Sequence, residues 1–267
     1  MNEFNRASFG RTVAEDFVAR RQGAASAFTA SAGVPQKALG HPDYEELAVG
    51  DRATAPMVAV FLDLTNFTGR TFWDDQEEVV DLAHAVLSGF VQTVRNFGGH
   101  PLGLRGDGLF AGFSPGDPAF TATMALGACA SALDAVENAV NPWLDRSGMA
   151  RVQARAGLDY GPITFVRSGD QASSEINPLG FAANFAAKCE KQAASWEIVV
   201  GEGLYNLLPS SDVFDEHEKS PKQYSRDYRR EYYRFYDYRW RRTVPHLDGI
   251  VEALAGNVTA QIQQAKR

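Results

Sequence analysis

Cysteine is scarce in this chain. Cys129 and Cys189 are the only two in 267 residues, and no Cys-x-x-Cys spacing occurs. That argues against a disulfide framework and against a structural zinc site. Positive charge is also in deficit. With 26 Lys/Arg against 33 Asp/Glu the net charge is -7, which counts against a non-specific nucleic-acid binder. An anionic small ligand is not excluded, because local cations decide that. No run of about 18 apolar residues occurs, and the N-terminus lacks the pattern of a secretory signal. The expectation is a soluble, cytoplasmic protein whose membrane role, if any, comes through a partner. Internal repeats and low-complexity tracts are absent too. A hydrophobic content of 45% suffices for a real core, and the length fits one large domain or a core domain with extensions.

Local patterns divide the chain into three parts. Residues 1-54 are mixed, with a short helix over Val13 to Arg21, and read as an N-terminal arm. Residues 55-212 carry the strong signals. Pro56 to Leu62 is a continuous apolar run of strand length, as expected of a strand covered on both faces. Leu82, Ala83, Val86, Leu87, Phe90 and Val94 share one helical face, predicting a helix over Val79 to Val94. Pro101 to Phe113 reads as two strands joined at Gly106-Asp-Gly108. A small-residue helix over Ala119 to Val140 follows, then a strand over Arg151 to Tyr160 turned by Gly161-Pro162. A helix over Gly180 to Ala194, a strand at Glu197 to Val200 and a short helix over Glu202 to Leu208 complete this part. This order predicts an α+β fold, a mostly antiparallel sheet with flanking helices. Residues 213-267 form a C-terminal extension of strand plus helix packed on the core. Between Lys219 and Arg242 it holds nine Lys/Arg and three Asp/Glu. Tyr232 to Trp240 alternates aromatic with charged residues, predicting an edge strand with charged gatekeepers. Ile250 to Ala265 predicts a terminal helix.

Four segments can carry chemistry. Asp63 ends the buried-looking strand in Phe61-Leu-Asp-Leu-Thr-Asn-Phe-Thr68, and a carboxylate there is costly unless paired or metal-bound. Asp107 sits at the tip of the next hairpin. If those strands are neighbours, the two carboxylates suit two magnesium or manganese ions about 3.5–4 Å apart. An Asp-Gly turn without a metal role is the plain alternative for Asp107. Asn184 and Lys188 stand one helical turn apart; in the alternative, Lys188 is a solvated lysine on an ordinary amphipathic helix. Arg155, inside the apolar strand Val152 to Leu158, needs an anionic partner. Either a triphosphate or an internal salt bridge would serve.

These segments resemble the catalytic domain of class III nucleotide cyclases, over roughly residues 55-210. Phe61-Leu-Asp63-Leu-Thr-Asn-Phe-Thr68 is similar to the family's first metal motif, and Gly106-Asp107 to its second. Arg155-Ala-Gly-Leu-Asp-Tyr-Gly161 resembles its phosphate-binding arginine motif, and Gly180 with Asn184 its ribose-orienting asparagine motif. The resemblance implies a ferredoxin-like, palm-type fold. It also implies two divalent cations (Mn2+ or Mg2+) held by Asp63, Asp107 and the Leu64 carbonyl. Phe67, Thr68 and Arg155 would contact substrate, and Asn184 and Lys188 would be catalytic. Three positions depart from the family. Gly103 stands where adenylyl cyclases carry a base-reading lysine and guanylyl cyclases a glutamate. Asn177 stands where the partner base-reading residue is usually aspartate, threonine or cysteine. Lys188 replaces a transition-state arginine, keeping the charge but losing the bidentate fork.

This combination is similar to the bacterial Pycsar pyrimidine cyclases, stand-alone domains that make cyclic UMP or cyclic CMP in antiphage defence. By that resemblance the substrate is UTP, with CTP as the alternative, read at Gly103 and Asn177. The Asn177 amide can match uracil or, flipped, cytosine. A homodimer with shared sites is implied, as is a separate effector, often membrane-embedded, that senses the product. Nucleic acid is not an expected partner. The rival readings are an adenylyl cyclase with relaxed base recognition and a catalytically dead nucleotide-binding regulatory module.

Overall fold

The computed structural model describes residues 5–23, 39–114, 116–170, 172–208 and 212–247, the side chain of Thr68 excepted. Helix α1 (Arg6–Arg21) is longer than its apolar spacing predicts, because Asn5 caps it. The Asn5 side chain accepts from the Ser8 amide at 3.0 Å, and Ser8 Oγ accepts from the Asn5 N–H at 2.8 Å. Two otherwise orphaned amides are thereby satisfied, and Phe9, Val13 and Phe17 are buried in the main core. Strand β1 (Arg52–Thr65) leads through Asn66 into the short α2 (Phe67–Trp73) and then the amphipathic α3 (Gln76–Asn96), capped by Asp75. Strands β2 (His100–Arg105) and β3 (Gly108–Phe113) form the predicted hairpin, closed by the Arg105–Gly108 pair.

Helix α4 (Pro118–Ala135) continues through a π turn at Val136–Val140 into α5 (Asn141–Arg146). By length and composition this stretch could cross a membrane, but 72% of its most apolar window is buried inside the fold, as expected of a core helix. Next come β4 (Gln153–Gly169), β5 (Ser174–Leu179), α6 (Phe181–Gln192), β6 (Ile198–Gly201) and α7 (Glu202–Tyr205). The tail supplies β7 (Phe214–Glu216), β8 (Lys222–Arg226), β9 (Arg229–Tyr233) and β10 (Phe235–Tyr238).

One sheet runs β2-β3-β1-β4-β6-β10-β7, with β5 added on β4; β8 and β9 form a separate ribbon. Only the β4–β6 pairing is parallel among the described strands. Side chains alternate along a strand, and β1 shows it. Val58, Val60, Leu62 and Leu64 enter the large core with α1, α3 and α4. Met57 and Ala59 face the other way, toward Ala182, Ala183 and Ala186 of α6. The expected α+β architecture with a mostly antiparallel sheet is what the chain adopts.

Three local expectations change. The strand predicted to turn at Gly161-Pro162 continues to Gly169, because Pro162 lies opposite Pro56 of β1. Two prolines facing each other at a pair that exchanges no N–H···O bond cost the ladder nothing on that side. The aromatic run Tyr232 to Trp240 is not one edge strand. It breaks at Arg234, and β10 lies between β6 and β7, where Tyr236 stacks on Tyr205 with ring centroids 3.9 Å apart. The helix after Gly201 stops at Tyr205 instead of Leu208. The helix predicted over Ile250 to Ala265 lies outside the described residues.

Candidate active site

Register across the sheet assembles the site in two rows. Asp63 of β1 lies opposite Gly108 of β3 on one side and Arg155 of β4 on the other. Arg105 extends that row on β2. Two residues earlier, Phe61 lies opposite Phe110 and Gly157, and Phe110 opposite Gly103. Facing residues on paired strands share one side of a sheet, so both rows open on the α6 side. Phe61 and Phe110 stack there, with ring centroids 4.5 Å apart.

Asp63 and Asp107 line the same open cavity of about 470 Å³, together with Leu64, Asn66, Phe67 and Arg155. The β2–β3 turn is tied to β1 by the Leu64 amide, which donates to the Asp107 carbonyl at 3.3 Å. Asn66 adopts a left-handed backbone, φ 59°, which asparagine tolerates; this swings the chain from β1 into α2. The Phe67 ring is buried in the core, so only its backbone can meet a ligand. Thr68 is the second residue of the same helix, its side chain lying outside the described residues.

The electrostatics favour a cation. Asp107 is held above the ordinary carboxylate range, first by burial and then by the neighbouring Asp63 charge. A divalent ion between the two would relieve that repulsion, and an all-oxygen donor set suits Mg2+ or Mn2+. Gly108 makes room for it. A Cβ there would lie 3.0 Å from Asp63 Oδ1 and 3.2 Å from the Leu62 carbonyl. The residues present fit the implied metal centre.

Arg155 is fully engaged within the chain. Its Nε and Nη2 donate to Asp63 Oδ2 at 3.2 and 2.9 Å, and Nη1 to the Ala193 carbonyl at 3.3 Å. Nη2 also pairs with Glu190 Oε1 at 2.5 Å. Of the two partners weighed for this arginine, the internal salt bridge is formed. A phosphate would have to exchange with one of these contacts.

Helix α6 presents two faces. Glu190 is buried against β4, its carboxyl raised to about 7 chiefly by burial, with Arg155 pulling the other way. Lys188 is two residues back, about 200° around a helix of 3.6 residues per turn, and is exposed, as is Asn184. Lys188 Nζ donates to Tyr224 Oη of β8 at 2.8 Å and lies 4.8 Å from that ring's centroid. It lines a second cavity of about 260 Å³ with Lys219 and Lys222, not the one at Asp63. Gly103 lies opposite Phe110, on the row of Phe61 and Gly157, whereas Asn177 lies opposite Val166, nine residues further along β4. A Cβ at Gly103 would meet nothing within 4 Å. The folded chain therefore brings Asp63, Leu64, Asp107 and Arg155 together and keeps Asn184 and Lys188 apart from them.

Glu190 was missed by sequence reasoning. Its signal was visible: an acid on the apolar stripe formed by Ala182, Ala183, Phe185, Ala186 and Cys189. A second cluster also escaped notice, in which Glu197, His217 and Asp237 each bring one ligand atom within 4.8 Å of the others. His217 Nδ1 accepts from the Lys219 amide at 3.0 Å, so the ring proton sits on Nε2, facing Asp237 Oδ1 at 3.8 Å. That tautomer makes the cluster a histidine–carboxylate contact.

The sheet with its flanking helices has the fold of solved nucleotide cyclases. Among solved structures, the adenylyl cyclase CyaB from P. aeruginosa superposes with a TM-score of 0.61 at 19% identity, over 70% of this chain and 95% of that one. The guanylyl cyclase Cya2 superposes with a TM-score of 0.59 at 18% identity, over 72% of this chain and 94% of that one. In sequence, the chain is similar to the cytidylate cyclase of Escherichia coli, 22% identical over 178 residues, which is 63% of this chain and 38% of that protein. The chain thus spans well under half the length of that relative. No family model matches.

Proposed function

We propose that this protein is a nucleotide cyclase converting a pyrimidine nucleoside triphosphate, UTP in the first reading, to its 3′,5′-cyclic monophosphate and pyrophosphate. One observation carries the proposal. Asp63 and Asp107 meet at one cavity, while Asn184 and Lys188 stand exposed on the far face of α6. One chain therefore holds two half-sites, and an isologous homodimer completes two whole ones. Asp63, Asp107 and the Leu64 carbonyl would hold two divalent ions, Mn2+ or Mg2+. When bound, such ions lower the pKa of the ribose 3′-OH and neutralise the triphosphate.

The chain's own groups do the rest. Asn184 of one protomer orients the ribose on its partner's metal centre, so that the 3′-oxygen attacks the α-phosphorus in line. Lys188 leaves Tyr224 and sets its ammonium beside the α-phosphate oxygens, where negative charge grows. Arg155 steadies the triphosphate, and the Phe67–Thr68 backbone closes over it. Base choice falls to the open space at Gly103 and to the Asn177 amide. CTP is the second reading, favoured by the cytidylate cyclase likeness. The product serves as a second messenger in the cytoplasm, sensed by a separate effector, of a kind often embedded in a membrane, in antiphage defence.

The test is a product assay with α-labelled UTP, CTP, ATP and GTP in separate incubations with Mn2+. Cyclic UMP or cyclic CMP alone supports the proposal and decides the base. Cyclic AMP would overturn the base reading, and nucleotide binding without turnover from any of the four would mark a regulatory module.

A further inference from the structure

Glu190 has no part in the reading above, yet it is the more deeply buried acid at the site, its side chain 10% exposed against 19% for Asp63. It is held rigidly. Its backbone amide sits where a Cβ at Gly157 would be, 2.0 Å away, so α6 lies directly on β4. Oε1 points at Arg155 and has no hydrogen-bond partner beyond that ion pair among the described residues, and the Glu190 carboxyl also lies against that of Asp63.

The atoms that Arg155 engages are informative. A free arginine beside a free aspartate prefers the fork-on-fork pair that occupies both carboxylate oxygens. Here both contacts go to Asp63 Oδ2 alone. Glu190 Oε1 draws Nη2 toward α6, and the Ala193 carbonyl takes Nη1. Asp63 Oδ1 is left on the Gly108 side, toward Asp107.

We propose that Glu190 is a positioning residue for the metal centre: it holds Arg155 on one oxygen of Asp63 and so keeps the other oxygen open to a divalent ion. The inference rests on the metal reading of Asp63. Without Glu190 the guanidinium rotates onto both oxygens and competes with the ion. With it, Arg155 keeps an anchor when the ion draws Asp63 away.

The experiment measures Mn2+ binding to the nucleotide-free full chain, by the electron paramagnetic resonance signal of free Mn2+. Wild type, Glu190→Gln, Glu190→Asp, Arg155→Met and the Glu190→Gln/Arg155→Met double variant are compared, with Asp63→Asn as control and thermal melting to check folding. Glu190→Gln is expected to weaken Mn2+ binding about 10- to 100-fold, the range for loss of a residue that orients a ligand. Glu190→Asp, with its carboxylate withdrawn, weakens it less and serves if the glutamine variant does not fold. In the Arg155→Met background, Glu190→Gln should change binding little, because the competitor is gone. Unchanged binding in Glu190→Gln would overturn the inference. So would a loss that persists undiminished without Arg155, which would make Glu190 a direct partner of the ion. Wild-type binding that Asp63→Asn does not affect would overturn the metal reading itself, and the inference with it.

Discussion

Replacing Gly157 by alanine tests whether the seating of α6 on β4 sets the site. An added Cβ would lie 2.0 Å from the Glu190 amide nitrogen and 2.3 Å from the Ala186 carbonyl oxygen. Both obstacles are backbone, so no side chain can swing aside. Ordinary contact begins at 3.4 Å, and 3.4 less 2.0 leaves a lift of about 1.4 Å for this turn of the helix. Overpacking of this kind costs about 1–3 kcal/mol, and the rigid obstacles put it toward the top of that range. For a chain of this size, about 2–3 kcal/mol lowers the melting temperature by roughly 4–12 °C. The same lift moves Glu190, Asn184 and Lys188, and a displacement of about 1 Å in a positioning group can cost around a hundredfold in rate. Calorimetric melting and turnover should therefore both fall. Gly103→Ala is the control: its Cβ meets nothing, so its melting point should stay that of wild type. A Gly157→Ala protein melting like wild type would refute the packing on which the site's geometry depends.

Asp63→Asn and Asp107→Asn should each abolish cyclic nucleotide formation while circular dichroism stays native, and residual turnover above about a tenth of wild type would contradict a two-ion centre. Mixing Asp63→Ala with Asn184→Ala protein should restore about a quarter of wild-type activity, since half the dimers are mixed and each of those has one intact site of two. No recovery on mixing, with subunit exchange verified, would refute the shared site. Asp159, buried under Tyr233 and the start of α7, has its carboxyl raised to about 7, chiefly by burial. The unfolded chain loses this proton near the ordinary aspartate value of 3.8 and the folded one near 7. Between those values the folded state holds more protons, so stability falls as pH rises, by at most about 1.4 kcal/mol per pH unit. Asp159→Asn should remove that slope from a series of chemical denaturations between those pH values. An identical slope in the variant would contradict the assignment.

Much of this protein was legible locally. The apolar run before Asp63, the Gly106-Asp107 turn and the helical stripe of α3 are each set by residues within one turn or one hairpin. Side-chain period and turn chemistry act over that range, so β1, the β2–β3 hairpin and α3 appear where expected. Asp63 and Asp107 were likewise visible, since each closes a short pattern and neighbouring antiparallel strands bring such closing residues together. Asn184 and Lys188 could be placed on one helix face by their spacing alone.

Other features depend on contacts that no local pattern encodes. Pro162 looked like a turn until Pro56, more than a hundred residues earlier, came to lie opposite it. The aromatic tail looked like an edge, but a strand's place in a sheet depends on which neighbours bury its rings, and β6 with β7 encloses β10. The acid on the stripe of α6 was readable, but its partner was not. Arg155 lies 35 residues before Glu190, and only Gly157, by letting helix touch strand, brings them to 2.5 Å. The chain by itself determined which residues could bind an ion or a phosphate. Tertiary packing decided which of them share a cavity and which face away, because a buried charge takes its partner from across the fold.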